Sequence, residues 1–245
     1  MAAKSTSVAT SRQTKPAPSI KRNVGNSTND SPEFFSEIEQ GSQEWIDIRL
    51  GLPTASMFGT IMSEARDPET GGTRAEYMRR LAGELLTGEV AEEKFKSKAM
   101  ERGNLMEPEA RDDFARRNLY ELEQVGFVRR RLPSGRYVGA SPDSLFEKRR
   151  CGLEIKTMRP DLMIARLESG AGMPSGHRWQ VYGTMWVCGL ESVVLKLFYR
   201  GMPVSPEYQV NRDEKVIKEI SDAVEVFDHQ LTQLVKKIRA MGTPR

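Results

Sequence analysis

Two short stretches constrain this chain more than any others: Ser141-Pro142-Asp143 and, after a brief basic connection, Cys151-Gly152-Leu153-Glu154-Ile155-Lys156-Thr157. If residues 152–157 form a strand, Glu154 and Lys156 lie two residues apart and project from the same face. Pro142 disfavours helix just before Asp143 and places that carboxylate at the end of the preceding strand. Two carboxylates and one lysine brought together in this way suit divalent-metal phosphodiester cleavage. Hard oxygen ligands hold Mg2+, and the lysine stands near the attacking water or the scissile phosphate. The same residues also describe a hairpin with a solvated charged face, so the remainder of the chain has to decide between the two readings.

The bulk composition narrows the field. At 245 residues, 38% hydrophobic and 29% charged, the chain is long enough for one sizeable core plus a tail. No apolar run approaches the roughly 18 residues of a membrane helix, and the first residues lack the charged-then-apolar order of a signal peptide. No membrane partner and a cytoplasmic location are therefore expected. Cys151 and Cys188 have no CxxC spacing, which speaks against zinc and iron–sulfur sites, and they read as reduced, partly buried thiols. With only His177 and His229, histidine-rich metal sites and histidine-dependent triads are disfavoured.

Charge is unevenly distributed. Residues 1–30 carry Lys4, Arg12, Lys15, Lys21 and Arg22 against Asp30 alone, a net of +4, whereas the remainder holds 32 basic and 33 acidic residues. Residues 1–31 are rich in Ser, Thr, Ala, Asn and Lys and poor in large apolar side chains, so they are read as a disordered basic arm. The near-neutral body is not that of a protein coated with cations, and contact with nucleic acid must come from local clusters. Arg129-Arg130-Arg131 and Lys148-Arg149-Arg150 are two such clusters, each equally readable as a solvated strand end.

Periodicity organises the body. A short amphipathic helix is expected over residues 42–50, with Ser42 as N-cap and Gly51 as its end. A second helix starts near Thr54, placing Ser56 in a first turn whose free amides favour an anion, with Arg49 positioned to add a bidentate phosphate contact. A capped helix start and a surface ion pair are the plainer alternative. Residues 74–86 are helical, and 97–117 form a longer helix or helix pair in which Glu107 and Arg111 make an i, i+4 pair. Strands are expected at 125–130, 137–140, 144–147 and 152–156, with a turn at Pro133-Ser134-Gly135. A short helix (161–167), a glycine-containing loop (170–176), a helix (177–187), an apolar strand (192–199) and a long helix capped by Asp213 complete the chain.

Taken in order, these segments resemble the lambda-exonuclease family, the YqaJ-type viral recombinase domain of the PD-(D/E)xK nuclease superfamily. The resemblance rests on Glu39-Gln40-Gly41 through Trp45; Arg49-Leu50-Gly51 with Thr54-Ala55-Ser56; and Arg102-Gly103 through Glu107. Ser141-Pro142-Asp143, Gly152 through Lys156, and Gln180-Val181 through Met185-Trp186-Val187 complete it. It covers roughly residues 37–235 and favours the nuclease over the charged hairpin. It implies an α/β, restriction-endonuclease-like core, a central mixed β-sheet flanked by helices, over residues 32–245.

The resemblance further implies roles for individual residues. Asp143, Glu154 and the Ile155 carbonyl would be metal ligands, with Glu107 a further carboxylate for a second ion; two Mg2+ are implied per site, with Mn2+ able to substitute. Lys156 would position or deprotonate the attacking water, and Gln180 would orient groups around it. Arg49, Ser56 and Ser141 would bind the 5′-phosphate of a DNA end, and Met100 would be the apolar wedge at the terminal base pair. The implied activity is 5′→3′ digestion of the 5′-phosphorylated strand of linear duplex DNA, leaving a 3′ single strand for annealing. The implied partners are linear duplex ends, two further copies in a ring-shaped homotrimer, and a phage-type single-strand annealing protein in a bacterial host. Thr157-Met158 departs from the Cys-Pro of a close relative, and His177 is not a family ligand and reads as structural. Two other readings are a structure-specific endonuclease on the same core and a non-catalytic DNA-end-binding protein. Because Glu107, Asp143, Glu154 and Lys156 are all present, the residues lend no support to inactivity.

Overall fold

The computed structural model describes residues 31–63, 65, 72–91 and 98–242. The basic arm, apart from Ser31, lies outside the described residues. A three-stranded antiparallel sheet has the order β1-β2-β3, formed by β1 (Glu33–Phe35), β2 (Phe127–Arg131) and β3 (Tyr137–Ala140). A four-stranded sheet has the order β4-β5-β6-β7, formed by β4 (Ser144–Phe146), β5 (Cys151–Thr157), β6 (Ser192–Phe198) and β7 (Glu207–Asn211). In the second sheet β5 and β6 are parallel and the outer pairs antiparallel, which makes it mixed. The chain passes from one sheet to the other at Ser141-Pro142-Asp143.

Side-chain alternation on the central strands determines what each face of the second sheet meets. Leu153 and Ile155 of β5, with Val194 and Phe198 of β6, pack against Ala110 and Phe114 of α4 (Lys98–Asn118). On the other face, Val193, Leu195 and Leu197 join a larger core with Val181 and Met185 of α6 (Arg178–Cys188). Because paired residues in a parallel ladder share a face, the register Glu154↔Leu195 puts the motif glutamate on the α6 side. The connection from β5 to β6 runs through α5 (Pro160–Ser169) and α6, the crossover that a parallel pair requires. The 28-residue α7 (Glu214–Met241), capped by the Asp213 side chain, closes the large core against α3 (Arg74–Thr87) through buried Ile220, Val224, Phe227 and Leu231.

α1 (Gln43–Arg49) begins at Ser42, whose hydroxyl accepts from the Trp45 amide, as its sequence predicts. The segment after it differs. In place of one helix there is a 3-10 turn over Ala55–Met57, followed by the short α2 (Phe58–Met62). Thr54 does not cap with its side chain: its amide donates to the Tyr77 hydroxyl (3.1 Å), and its Oγ1 lies 3.3 Å from Ser56 Oγ. Residues 98–118 form one continuous helix despite Pro108, not a pair. β1 and the edge strand β7 have no counterpart in the sequence reading; both are short and at most half-buried. No helix among the described residues is long and apolar enough to cross a membrane. Both cysteines are buried and unbridged, and burial pushes the Cys188 thiol upward.

Two residues of each basic cluster find partners within the protein. Arg129 pairs with Glu33 (2.8 Å) and stacks on Tyr137, and Arg130 donates to the Val187 carbonyl. Between β4 and β5, Glu147, Lys148 and Arg149 hold positive φ angles of 50°, 57° and 65° in succession, a conformation that costs roughly 1–2 kcal/mol per non-glycine residue. Arg149 offsets this strain by pairing with Glu123, donating to Ser36 and covering the Phe34 ring, while Arg150 pairs with Glu191. These arginines hold the turn that brings Asp143 and Glu154 together.

One close approach seats α2 on α6. A Cβ on Gly183 of α6 would lie 2.4 Å from Phe58 Cδ2, and Phe58 is fully buried. Gly183→Ala is expected to destabilise the protein: overpacking costs about 1–3 kcal/mol, and the better helix propensity of alanine recovers only about 1 kcal/mol. Thermal unfolding checks this; an unchanged or raised midpoint would mean that the ring can turn aside.

Candidate active site

A cleft of about 310 Å³ opens where the two sheets, α1 and α6 meet. Its lining combines Asp143, Glu154, Lys156 and Gln180 with Arg49, Ser56 and Ser141. Gln40, Trp45, Thr54, Ala55, Asn104, Ala140 and Thr184 complete the wall. Residues from five separate parts of the chain therefore face one space. Glu107 does not line the cleft but couples electrostatically to the carboxylates that do. The side chain of Met100 lies outside the described residues, although its backbone belongs to α4. His177 ends the turn leading into α6 and is absent from the cleft lining.

The carboxylates are tied to the sheet from several sides. Asp143, immediately before β4, accepts through Oδ2 from the Ile155 amide at 2.5 Å, two residues beyond the last β4–β5 pair, Ser144 with Leu153. Glu154 is 3% exposed; its Oε1 accepts from Gln180 Nε2 and lies 3.1 Å from Lys156 Nζ. Gln180 thus meets the carboxylate oxygen that the lysine also meets. Arg111 of α4 bonds both ends of the cluster: it pairs with Glu107 and donates Nε to the Asp143 carbonyl (3.2 Å) and Ser144 Oγ (3.1 Å). The Glu107–Arg111 pair, ordinary as an i, i+4 surface contact, is in fact a half-buried brace of this corner.

Crowding of like charge marks the cluster. Burial, followed by the Glu154 and Glu107 carboxylates, holds the Asp143 carboxyl well above the usual range. Burial also raises Glu107, with Arg111 pulling it back and Glu154 adding to the rise. Glu154 Oε2 is buried with no hydrogen-bond partner, which ordinarily costs about 1–3 kcal/mol. A bound divalent cation would relieve both defects, so these residues fit one. Among the described residues no three carboxylate, imidazole or thiol groups already form a ligand set. The remaining oxygens would have to come from the Ile155 carbonyl, a moved Glu107, water or phosphate.

The opposite end of the cleft suits an anion. Ser56 sits exposed in the 3-10 turn, and the Arg49 guanidinium lies over the Trp45 ring, 3.6 Å from its centroid. The Trp45 indole N–H donates to Ser141 Oγ (2.9 Å) and the Gly126 carbonyl (3.1 Å). With Ser141 Oγ occupied as acceptor, its own hydrogen is directed elsewhere. Gln40 Nε2 bonds the Val125 and Pro142 carbonyls (3.1 Å each), fixing the Ser141–Asp143 corner. Sequence reasoning placed Trp45 on an amphipathic helix and gave Gln40 and Arg111 no role here. α1 contains no fully buried residue, and the signals available were the block Glu39-Gln40-Gly41 through Trp45 and the spacing of Glu107 and Arg111.

Comparison with known proteins bears on this arrangement directly. Residues 44–191 match the YqaJ-like viral recombinase domain, more than half of the chain and including every cleft residue except Gln40. The chain belongs to the YqaJ-like viral recombinase family. Among solved structures it is similar to the alkaline exonuclease LHK-Exo from Laribacter hongkongensis. The two are 26% identical with a TM-score of 0.70, over 82% of this chain and 97% of that one. The same relative has been crystallised in complex with dAMP and matches equally well. A phage-related exonuclease from Haemophilus somnus 129PT, 17% identical, shares the fold, with a TM-score of 0.55 over 76% of this chain and 96% of that one. Comparison with curated proteins gave no match. The family assignment agrees with the resemblance drawn from the ordered motifs, and the α/β core with a central mixed sheet is the one expected.

Proposed function

We propose that this protein is a divalent-metal-dependent exonuclease that engages the end of linear duplex DNA. It digests the 5′-phosphorylated strand in the 5′→3′ direction and leaves a 3′ single strand for recombination by annealing. The observation that carries this reading is the shared cleft, in which a carboxylate–lysine cluster stands beside an Arg49–Ser56–Ser141 pocket suited to phosphate. Similarity to LHK-Exo, crystallised with the 5′-mononucleotide dAMP, supports it.

Asp143, Glu154 and the Ile155 carbonyl would hold Mg2+, with Glu107 supporting a second ion and Mn2+ able to substitute. Bound there, the metal supplies charge neutralisation at the scissile phosphate and a lowered pKa for the attacking water. Lys156 places its ammonium beside Glu154 and orients the nucleophile, while Gln180 keeps the Glu154 carboxylate in its rotamer. Arg49, held against Trp45, presents a planar fork to a terminal phosphate. Ser141 and Ser56 add hydroxyl donors. Each cut leaves a new 5′-phosphate that the same pocket draws in, which explains a single polarity. The assembly proposed with this activity is a ring-shaped homotrimer around DNA that passes the 3′ strand to a single-strand annealing protein in the cytoplasm of a phage-carrying host. Met100 is retained as the wedge and residues 1–31 as a basic arm.

Digestion of linear duplexes in Mg2+, with each strand labelled separately and the ends carrying 5′-phosphate or 5′-hydroxyl, tests the proposal. Only the 5′ strand is expected to disappear, faster from phosphorylated ends. Arg49→Ala is expected to lower kcat/KM on phosphorylated ends by about tenfold or more and to change the hydroxyl rate little. Cleavage of covalently closed circles, or equal loss of both strands, would overturn the exonuclease reading.

A further inference from the structure

The segment Leu50–Thr54 joins the two halves of the anion pocket, since Arg49 ends α1 on one side and Ser56 lies in the 3-10 turn on the other. Its backbone meets β3 at a single bridge, where the Gly139 amide donates to the Pro53 carbonyl (2.9 Å), and no extended ladder holds it. Instead, the Gly51 amide donates to Glu84 Oε2 (2.9 Å), and the Gly51 carbonyl accepts from Arg136 (3.0 Å). The Thr54 amide donates to the Tyr77 hydroxyl (3.1 Å). Arg136 is in turn fixed by Asp228, through a 2.6 Å contact to a carboxylate that is fully buried and also accepts from Ser134. Gly51 adopts φ +67°, and a Cβ there would strike Leu85 at 2.4 Å, so a side chain at this position would be both strained and crowded.

Buried charged groups are a poor way to gain stability, because a well-packed apolar replacement of an ion pair is often neutral or stabilising. Glu84 and Asp228 are 6% and 0% exposed, on α3 and α7, and neither lines the cleft. What they and Arg136 share is that their hydrogen bonds converge on the two sides of one residue, Gly51, two positions from Arg49. We propose that Glu84, Tyr77 and the Arg136–Asp228 pair are positioning residues for end recognition, fixing the spacing between Arg49 and Ser56 so that both reach one 5′-phosphate. This inference rests on the end-recognition reading above and assigns to α3, α7 and the β2–β3 turn a part in substrate selection.

The test replaces the ion pair as a unit, Arg136→Met with Asp228→Leu, so that no charge is left buried alone. The double variant is expected to unfold at or above the wild-type temperature. It should nevertheless show KM on 5′-phosphorylated duplex raised about tenfold, with kcat and the rate on 5′-hydroxyl ends unchanged. Tyr77→Phe, which removes only the acceptor for Thr54, is expected to shift KM in the same direction, and Glu84→Gln, which keeps an acceptor for Gly51, to stay near wild type. A wild-type-like phosphate preference in both the double variant and Tyr77→Phe would overturn the proposal and leave these groups as scaffolding. Loss of rate on both kinds of end in equal proportion would do the same. Should the double variant not fold, Tyr77→Phe alone decides. A wild-type enzyme that digests DNA without preferring phosphorylated ends would instead remove the reading on which the proposal depends.

Discussion

Asp143→Asn is expected to lower DNA hydrolysis by at least about 10³-fold while leaving the metal-free protein no less stable than wild type. The expectation follows from how the side chain is held. Asn keeps a carbonyl oxygen that can accept from the Ile155 amide, so the corner between β3 and β4 retains its hydrogen bond. What it removes is one of three crowded carboxylates whose mutual repulsion works against the folded state. The proposed metal site would give up stability for function, and relieving it should show the exchange directly. The measurement is paired: hydrolysis of labelled duplex, and thermal unfolding with EDTA or with Mg2+. Wild type should gain thermal stability from Mg2+ and the variant little. A variant melting well below wild type in EDTA would mean that Asp143 is primarily a structural hydrogen-bonding group.

The second large effect lies behind the site. Lys196, mid-way along β6 with 0% exposure, donates to Asp113 of α4 (2.9 Å) and Glu207 of β7 (2.7 Å). Lys196→Met is expected to cost a few kcal/mol at neutral pH, since it removes the buried cation shared by two carboxylates and leaves Asp113 only its exposed partners Arg116 and Arg117. The effect should depend on pH in a definite direction. Burial pushes the Asp113 carboxyl up, but hydrogen bonds from Lys196 and Arg117 more than reverse this and leave it below the usual range. A carboxyl lowered in the folded state contributes stability above its unfolded value, and that contribution is lost as pH falls through the folded value. Without Lys196 that contribution is reduced to what Arg117 supplies, so the gap between variant and wild type should be widest near neutrality and narrow in the acidic range as the carboxylates protonate. Urea denaturation at both pH values measures the gap; a constant gap would assign the loss to packing. Because β6 is the parallel neighbour of β5, a local disturbance here should also reduce activity.

Legibility in the sequence followed the range of the forces involved. Periodicity and caps are local, and they placed α1, α3, α7 and strands β3 to β6 within a residue or two of where they lie. The spacing of Glu154 and Lys156 was enough to put them on one face, and the ordered motifs were enough to indicate the family that residues 44–191 match. β1 and β7 were missed because short edge strands bury little and leave no strong pattern. The helix expected from Thr54 is a 3-10 turn followed by the short α2, and the Thr54 amide is bound by a tyrosine 23 residues away. The apolar strand expected over 192–199 gave no sign of how Lys196 would be accommodated, and its two acids make it part of the interior.

By itself, then, the amino-acid order determined the local elements, the chemical kinds of group available and the family. Those depend on side-chain period, turn chemistry and motif order, which act over a few residues. Only the tertiary structure decided that Arg149 and Arg150 pair with Glu123 and Glu191 around a strained turn, and that Glu107 is braced by Arg111 against the Asp143 corner. Likewise it decided that the carboxylate cluster and the Arg49–Ser56–Ser141 pocket share one cleft. Those outcomes depend on which charges find partners once water is excluded, and partners separated by up to a hundred residues leave no trace in sequence spacing.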